Sequence, residues 1–210
     1  MTPEERDFYD YLNDATDLAE QGRFADSEKL LLKATEMEPT KDTAWFALGF
    51  AQYMQQKLPE AEASARKALE IRDTIGNYWG LLGNILKTQS RFVESESCLK
   101  KAVEINPKDH RSLSGLGTVL MALAKYDEAV EVCNKAIAMN PKDGEAYFAL
   151  GLVHYRRDEL EDAEKYVRKV LEIHPKMGQA WQALAAILQK LGREEEAADA
   201  RARAMAPWFY

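Results

Sequence analysis

Residues 42–75 read DTAWFALGFAQYMQQKLPEAEASARKALEIRDTI, and the pattern of this segment returns along the chain. A large apolar residue stands at Trp45 and at each position reached from it in steps of 34. In five of the six copies a leucine follows three positions later, and glycine or alanine comes next. A fixed period of this length is typical of proteins built from one stacked structural unit. The anchor positions are Tyr11, Trp45, Trp79, Leu113, Tyr147 and Trp181.

Each copy is predicted to form two helices, because its apolar residues recur at spacings of three and four. A turn separates the helices, and Gly22 and Gly192 at this turn suit the left-handed end of a helix. Prolines such as Pro39 and Pro107 follow the second helix and prevent its continuation. One helix pair cannot bury its apolar face alone, so the pairs should stack. The predicted copies are 8–41, 42–75, 76–109, 110–143, 144–177 and 178–210, the last a polar C-terminal cap.

The order Trp, two residues, Leu-Gly, two later alanines and a proline, at period 34, resembles the tetratricopeptide repeat. The resemblance covers residues 8–210 and implies an all-α, α–α superhelix of six helix-turn-helix repeats, a single array over residues 1–210. It also implies a concave groove lined by the first helices. The expected function is therefore a protein–protein interaction scaffold that binds a peptide or protein segment in this groove.

The resemblance places one set of side chains in the groove, with apolar residues at matching positions of the second and fifth copies. An alternative is that these rings fill the seam between neighbouring first helices, and the sequence leaves both interpretations open. Some family members hold a terminal carboxylate with a set of Lys, Asn and Arg residues, of which only Asn84 is present, so that mode is not expected. The candidate peptide-binding residues are Phe46, Phe50, Tyr53, Asn77, Asn84, Lys87, Arg111, Phe148, Leu152, Tyr155 and Arg156.

No catalytic or metal-binding motif is present in the sequence. The three histidines occupy three different repeat positions, and Cys98 and Cys133 lack a Cys-x-x-Cys spacing, which predicts free thiols. We therefore expect no enzyme activity, cofactor or metal. The net charge of −7 argues against nucleic acid as a partner, because phosphate contacts need clustered cations. With no long apolar run and an acidic N-terminus, we expect a cytoplasmic protein that does not enter membranes.

The chain ends with three consecutive aromatic residues, Trp208, Phe209 and Tyr210. Exposed rings at a chain end are unfavourable, so they should fold over the last helix pair or enter the surface of a second molecule. The second possibility gives an alternative function, in which the protein is a structural module that forms homo-oligomers through this tail.

Overall fold

The computed structural model describes residues 7–205, which form twelve helices and contain no strand. The predicted fold class is confirmed, since the helices form six helix-turn-helix repeats in phase with the 34-residue period. The helices are α1 (Phe8–Glu20), α2 (Phe24–Met37), α3 (Asp42–Met54), α4 (Leu58–Ile71), α5 (Gly76–Thr88), α6 (Phe92–Ile105), α7 (His110–Ala122), α8 (Tyr126–Met139), α9 (Gly144–Arg156), α10 (Leu160–Ile173), α11 (Gly178–Lys190) and α12 (Glu194–Met205).

The chain divides into two compact units. Unit 1 is Met1–Pro107 and contains α1–α6, and unit 2 is Lys108–Tyr210 and contains α7–α12. Within each unit the two helices of a repeat pack on each other and on the next repeat. The single array over residues 1–210, with its last repeat as a cap, stays a prediction.

The turn between the two helices has a left-handed backbone conformation in all six repeats. Gly22 and Gly192 have φ of 74°, and the same conformation occurs at four residues that carry a side chain. These turns lie where the sequence predicts them. Since L-residues pay a steric cost in this conformation, the tight connection must be favoured by the packing of the helices that it joins. The four residues are Gln56 (φ 61°), Ser90 (φ 61°), Ala124 (φ 58°) and Asp158 (φ 61°).

The two helices of a repeat approach closely at one glycine of the first helix. This glycine directly follows the leucine that stands three positions after the anchor residue. A β-carbon placed on Gly83 would lie 2.6 Å from Leu99 Cγ, and one on Gly151 would lie 2.7 Å from Val167 Cγ2. On Gly117 it would collide with the sulfur of Cys133. The predicted close approach of helices is therefore present, and a side chain at these positions would push the pair apart.

The three anchor tryptophans lie on the first helices α3, α5 and α11, and each bonds its helix to the segment that precedes it. The indole Nε1 of Trp45 donates to the backbone oxygen of Pro39 at 2.9 Å. Trp79 and Trp181 make the same bond six residues back, to Asp73 at 2.7 Å and Pro175 at 2.8 Å. The ring packs on the core while its polar N–H is satisfied, so these residues have a structural role.

A network of ion pairs joins the second helices of consecutive repeats, and the same four residues by position and type form it in each unit. Lys57 and Glu28 form a pair at the equivalent positions one repeat earlier in unit 1. In unit 1 the Arg91 guanidinium lies 2.7 Å from Glu62 and 2.6 Å from Glu94, and Arg66 lies 2.8 Å from Glu62. Burial would raise the pKa of the Glu62 carboxyl, but hydrogen bonds from Arg66 and Arg91 hold it below its ordinary value. In unit 2 the equivalent network consists of Glu164, Arg168, Arg193 and Glu196.

Exchanging alanine and glycine at the turns should change stability in opposite directions. A β-carbon on Gly22 has nothing within 4 Å, so Gly22→Ala alters only backbone strain and should lower the free energy of unfolding by about 1 kcal/mol. Ala124→Gly relieves the same strain and should raise it by about 0.5 kcal/mol. Urea unfolding followed by circular dichroism measures both values. A change of the same sign in the two variants would contradict this account of the turn.

Gly117→Ala should destabilise the protein by about 1–3 kcal/mol, because the added methyl group meets the Cys133 sulfur. The second substitution Cys133→Ala removes that sulfur and leaves at position 133 the residue type that Ala65 provides opposite Gly49 in the second repeat. In a double-mutant cycle measured by urea unfolding, the double variant should be more stable than the sum of the two single effects predicts. Strict additivity would show that the close approach does not limit this site.

Candidate functional site

In unit 1 the predicted aromatic residues lie on α3 and differ in how much of each ring remains exposed. The Phe46 ring stacks on Tyr78 of α5, with ring centroids 4.8 Å apart, so it partly fills the seam between first helices. Phe50 is 37% exposed, and its ring meets Phe24 edge-on with centroids 6.1 Å apart. The hydroxyl of Tyr53 lies 3.3 Å from that of Thr88. Phe50 therefore offers the most accessible apolar surface of the three.

The stacking partner of Phe46 is held by a buried polar contact. The Tyr78 hydroxyl donates to Asp42 Oδ2 at 2.8 Å, and Arg72 Nε lies 3.1 Å from the same oxygen. Burial, together with the adjacent Asp42 carboxylate, raises the pKa of Tyr78 to about 12. Sequence reasoning missed Tyr78. The sequence does mark Tyr78 as unusual, because the other five copies have only small or acidic residues at this repeat position.

The predicted polar residues of unit 1 lie on α5. Asn77 is exposed in the first turn, and Lys87 is half-buried near the end of the helix. The amide nitrogen of Asn84 donates to the backbone oxygen of Gly80 at 3.0 Å. That bond leaves the Asn84 side-chain oxygen as the group that could accept from a bound backbone.

In unit 2 the equivalent residues lie on α9, and all three are half-buried. Phe148 and Tyr155 pack against the core cluster that includes Leu184 and Leu188. Lys190 lies with its ammonium 4.7 Å from the centre of the Tyr155 ring and 2.8 Å from Asp158 Oδ1. Leu152 takes the place that Phe50 has in unit 1.

Two predicted arginines of unit 2 are exposed. Arg111 lies in the first turn of α7, and Arg156 is the last residue of α9. A hydrogen bond from Thr118 Oγ1 to Glu145 Oε1, 3.0 Å long, joins these two helices.

Each of the eleven predicted residues retains some exposure, and they form two groups, one in each unit. Their role in binding stays a prediction. The tail residues Trp208, Phe209 and Tyr210, predicted to mediate self-association, lie outside the described residues.

Within residues 7–205 no group of three or more His, Cys, Asp or Glu side chains could hold a metal ion. Cys98 and Cys133 are buried free thiols, and burial raises the pKa of Cys133 to about 12. The His154 ring stacks on Tyr166, and its Nδ1 lies 2.5 Å from Glu159 Oε2. The described part of the chain also contains no helix that is both long and apolar enough to cross a membrane.

Comparison with known families gives matches over most of the chain. The sequence model of the tetratricopeptide repeat matches residues 12–74, 80–144, 114–178 and 148–207. No curated protein sequence matches the chain.

Several solved structures share the fold at low sequence identity. The pilF protein of Pseudomonas aeruginosa is 19% identical with a TM-score of 0.77, covering 96% of this chain and 93% of its own. PilW, described as a widely conserved type IV pilus biogenesis factor, is 17% identical with a TM-score of 0.82, covering 96% and 94%. YrrB, described as a TPR protein with an unusual peptide-binding site, is 23% identical with a TM-score of 0.66, covering 84% and 91%. At these identities the likeness shows the fold alone.

The Tyr78–Asp42 contact should make stability depend on alkaline pH. Because the pKa of Tyr78 is higher in the folded protein than its ordinary value near 10, the contact contributes fully below about pH 10 and is lost as pH rises towards 12. Tyr78→Phe should therefore lose less stability between these two pH values than the wild type. Urea unfolding at a series of pH values measures the slope, with Tyr9→Phe, 59% exposed, as the control. Identical slopes in the wild type and Tyr78→Phe would rule out this linkage.

Proposed function

Since the chain belongs to the tetratricopeptide repeat family, we propose that it acts as an interaction scaffold and that the first helices of each unit bind a peptide or protein segment. Arrays of stacked repeats typically present an extended surface that serves for binding. In this chain that surface would consist of α1, α3 and α5 in unit 1 and of α7, α9 and α11 in unit 2.

The observation that carries the proposal is the pair of matching apolar stripes on α3 and α9. Residues 46–49 and 148–151 both read Phe-Ala-Leu-Gly, and each stripe continues one turn later with Phe50 or Leu152 and then with a tyrosine. The Ala-Leu-Gly part serves the packing of the repeat. Packing within the repeat does not require an exposed ring at Phe50, and an exposed apolar side chain of this size favours a binding role.

Binding would draw on two kinds of interaction. An apolar ligand side chain or ring that becomes fully buried contributes about 1.5–3 kcal/mol. Asn77 and Asn84 could hydrogen-bond the backbone of an extended segment and so fix its register. Since a flexible peptide loses conformational entropy on binding, the affinity should be modest.

The comparison structures support a peptide ligand only in general terms. YrrB is described as having a peptide-binding site, and it shares the fold with this chain. Pilus biogenesis, which is stated for PilW, is not transferred to this protein, because 17% identity carries no specific function.

Removing the accessible apolar side chains should weaken binding. We expect Phe50→Ala and Phe148→Ala each to reduce the affinity for a ligand selected from an array of short apolar peptides by about tenfold, because each variant removes one apolar contact. Fluorescence anisotropy with the labelled peptide measures the dissociation constant.

The matched control is Val93→Ala, which removes an apolar side chain that is 69% exposed on the second helix α6. Circular dichroism and urea unfolding verify that the variants remain folded. Unchanged affinity in both phenylalanine variants would refute the assignment of the binding surface to the first helices.

A further inference from the structure

The first-helix surface of unit 2 has a charge opposite to that of the chain. The whole sequence contains 35 acidic and 28 basic residues. At the positions of α7, α9 and α11 that the repeat pattern assigns to this surface, the charged residues are three cations and one anion. They are Arg111, Arg156, Lys190 and Glu145.

Two of these charges are already engaged within unit 2. Lys190 pairs with Asp158 at 2.8 Å, and Glu145 accepts a hydrogen bond from Thr118. By contrast, Arg111 and Arg156 are exposed, and neither guanidinium forms an ion pair with any residue between 7 and 205.

The other arginines of unit 2 behave differently, which makes these two notable. Arg201 donates to the side-chain oxygen of Gln189 at 2.6 Å, and the remaining four are in ion pairs. Most arginines of the unit thus have a structural partner, whereas the two on the first-helix surface have none among the described residues. The ion pairs are Arg157 with Asp127, Arg168 with Glu164, Arg193 with Glu164, and Arg203 with Asp199.

Arg156 is well placed to act together with the apolar stripe. It follows Leu152 by four residues on α9, so the two side chains lie on the same face of the helix. Arg111 lies in the first turn of the neighbouring first helix, α7, which packs on α9, whereas Arg156 is the last residue of α9. The surface therefore has an apolar centre with Arg156 towards one end and Arg111 towards the other, where Glu145 is the one anion and is held by Thr118.

We infer that the first-helix surface of unit 2 selects an acidic peptide segment, whose carboxylates pair with Arg111 and Arg156 while its apolar side chains contact Phe148 and Leu152. A guanidinium matches a carboxylate in shape and can donate two parallel hydrogen bonds, which gives charge selectivity as well as affinity. This inference rests on the proposed function and specifies the chemistry of the partner.

Unit 1 provides an internal comparison. The positions equivalent to Arg111 and Arg156, three repeats earlier, are Tyr9 and Met54. Both are exposed and uncharged. The preference for an acidic segment therefore belongs to unit 2, and the residues of unit 1 supply the substitutions that should remove it.

Three labelled probes of identical length test the selectivity on the full chain. One is a short peptide in which leucine and glutamate alternate, and in the others glutamine or lysine replaces glutamate. We expect the glutamate peptide to bind about tenfold more tightly than the glutamine peptide, and the lysine peptide to bind weakest. Raising NaCl from about 0.05 M to about 0.2 M should reduce this difference, since salt screens exposed charges.

The variants Arg111→Tyr and Arg156→Met install the residues of unit 1. Each should weaken binding of the glutamate peptide about threefold to fivefold while leaving the glutamine peptide unchanged. Lys135→Gln is the control, because it removes the same charge from an exposed position on the second helix α8 and should leave the selectivity unchanged.

The outcomes separate this inference from the proposed function. Equal binding of the glutamate and glutamine peptides, reduced by Phe148→Ala, would overturn the acidic preference and keep the peptide-binding surface. Preference for the lysine peptide, or loss of selectivity with Lys135→Gln as with the arginine variants, would also overturn it. Binding of none of the three peptides would overturn both proposals.

If light scattering shows a dimer that Arg156→Met dissociates, the acidic segment belongs to a second copy of this chain, and the inference of a separate peptide partner is wrong.

Discussion

The close contact between the two helices of each repeat is the constraint on which the rest of the fold depends. At Gly83, Gly117 and Gly151 the first helix has room for hydrogen only, because a side-chain atom of the second helix occupies the space of a β-carbon. This contact fixes the rotation of one helix against the other. It also constrains the spacing between the two helices of a repeat, since a residue inserted between the contact positions, such as Gly83 and Leu99, would bring a different side chain to the contact.

Because one face of each first helix is committed to this contact and to its neighbours, the remaining face can vary without cost to the fold. The variation is large at equivalent positions of the two units, where Tyr9 corresponds to Arg111 and Met54 to Arg156. The positions that pack hardly change, since Leu48 and Leu150 are both fully buried. A repeat protein can in this way keep its core and change its ligand.

Most of the architecture could be predicted from the sequence, because the chain contains six copies of the same helix pair and their equivalent positions can be compared. The period gives the start of each helix. It also shows that Ala124 stands at the turn position that Gly22 and Gly192 occupy in other copies, although alanine by itself would not predict a left-handed backbone conformation. The contacts of single side chains could not be predicted in the same way. That Phe46 stacks on Tyr78 depends on the distance between two repeats, which periodicity does not specify.

The same reason limits what the sequence says about charge. Arg91 and Arg156 are both arginines at helix ends, yet the first is held between two glutamates and the second is not. Only the arrangement of helices distinguishes a cation held in ion pairs from one that has no ion-pair partner among residues 7–205. Pairing partners almost thirty residues apart, such as Arg91 and Glu62, leave no local trace in the sequence.

The ion-pair network of the second helices recurs with the same residue types three repeats later, together with the Phe-Ala-Leu-Gly segment of the first helices. The pair of Lys57 with Glu28 stands at the same positions one repeat before Arg91 and Glu62, so this contact between second helices is not limited to one place in each unit. Its charged groups are partly exposed, whereas the contact inside each hairpin is apolar or close to the backbone. Added salt would therefore loosen neighbouring hairpins from one another before it affects the two helices of one hairpin, since ions screen exposed charges.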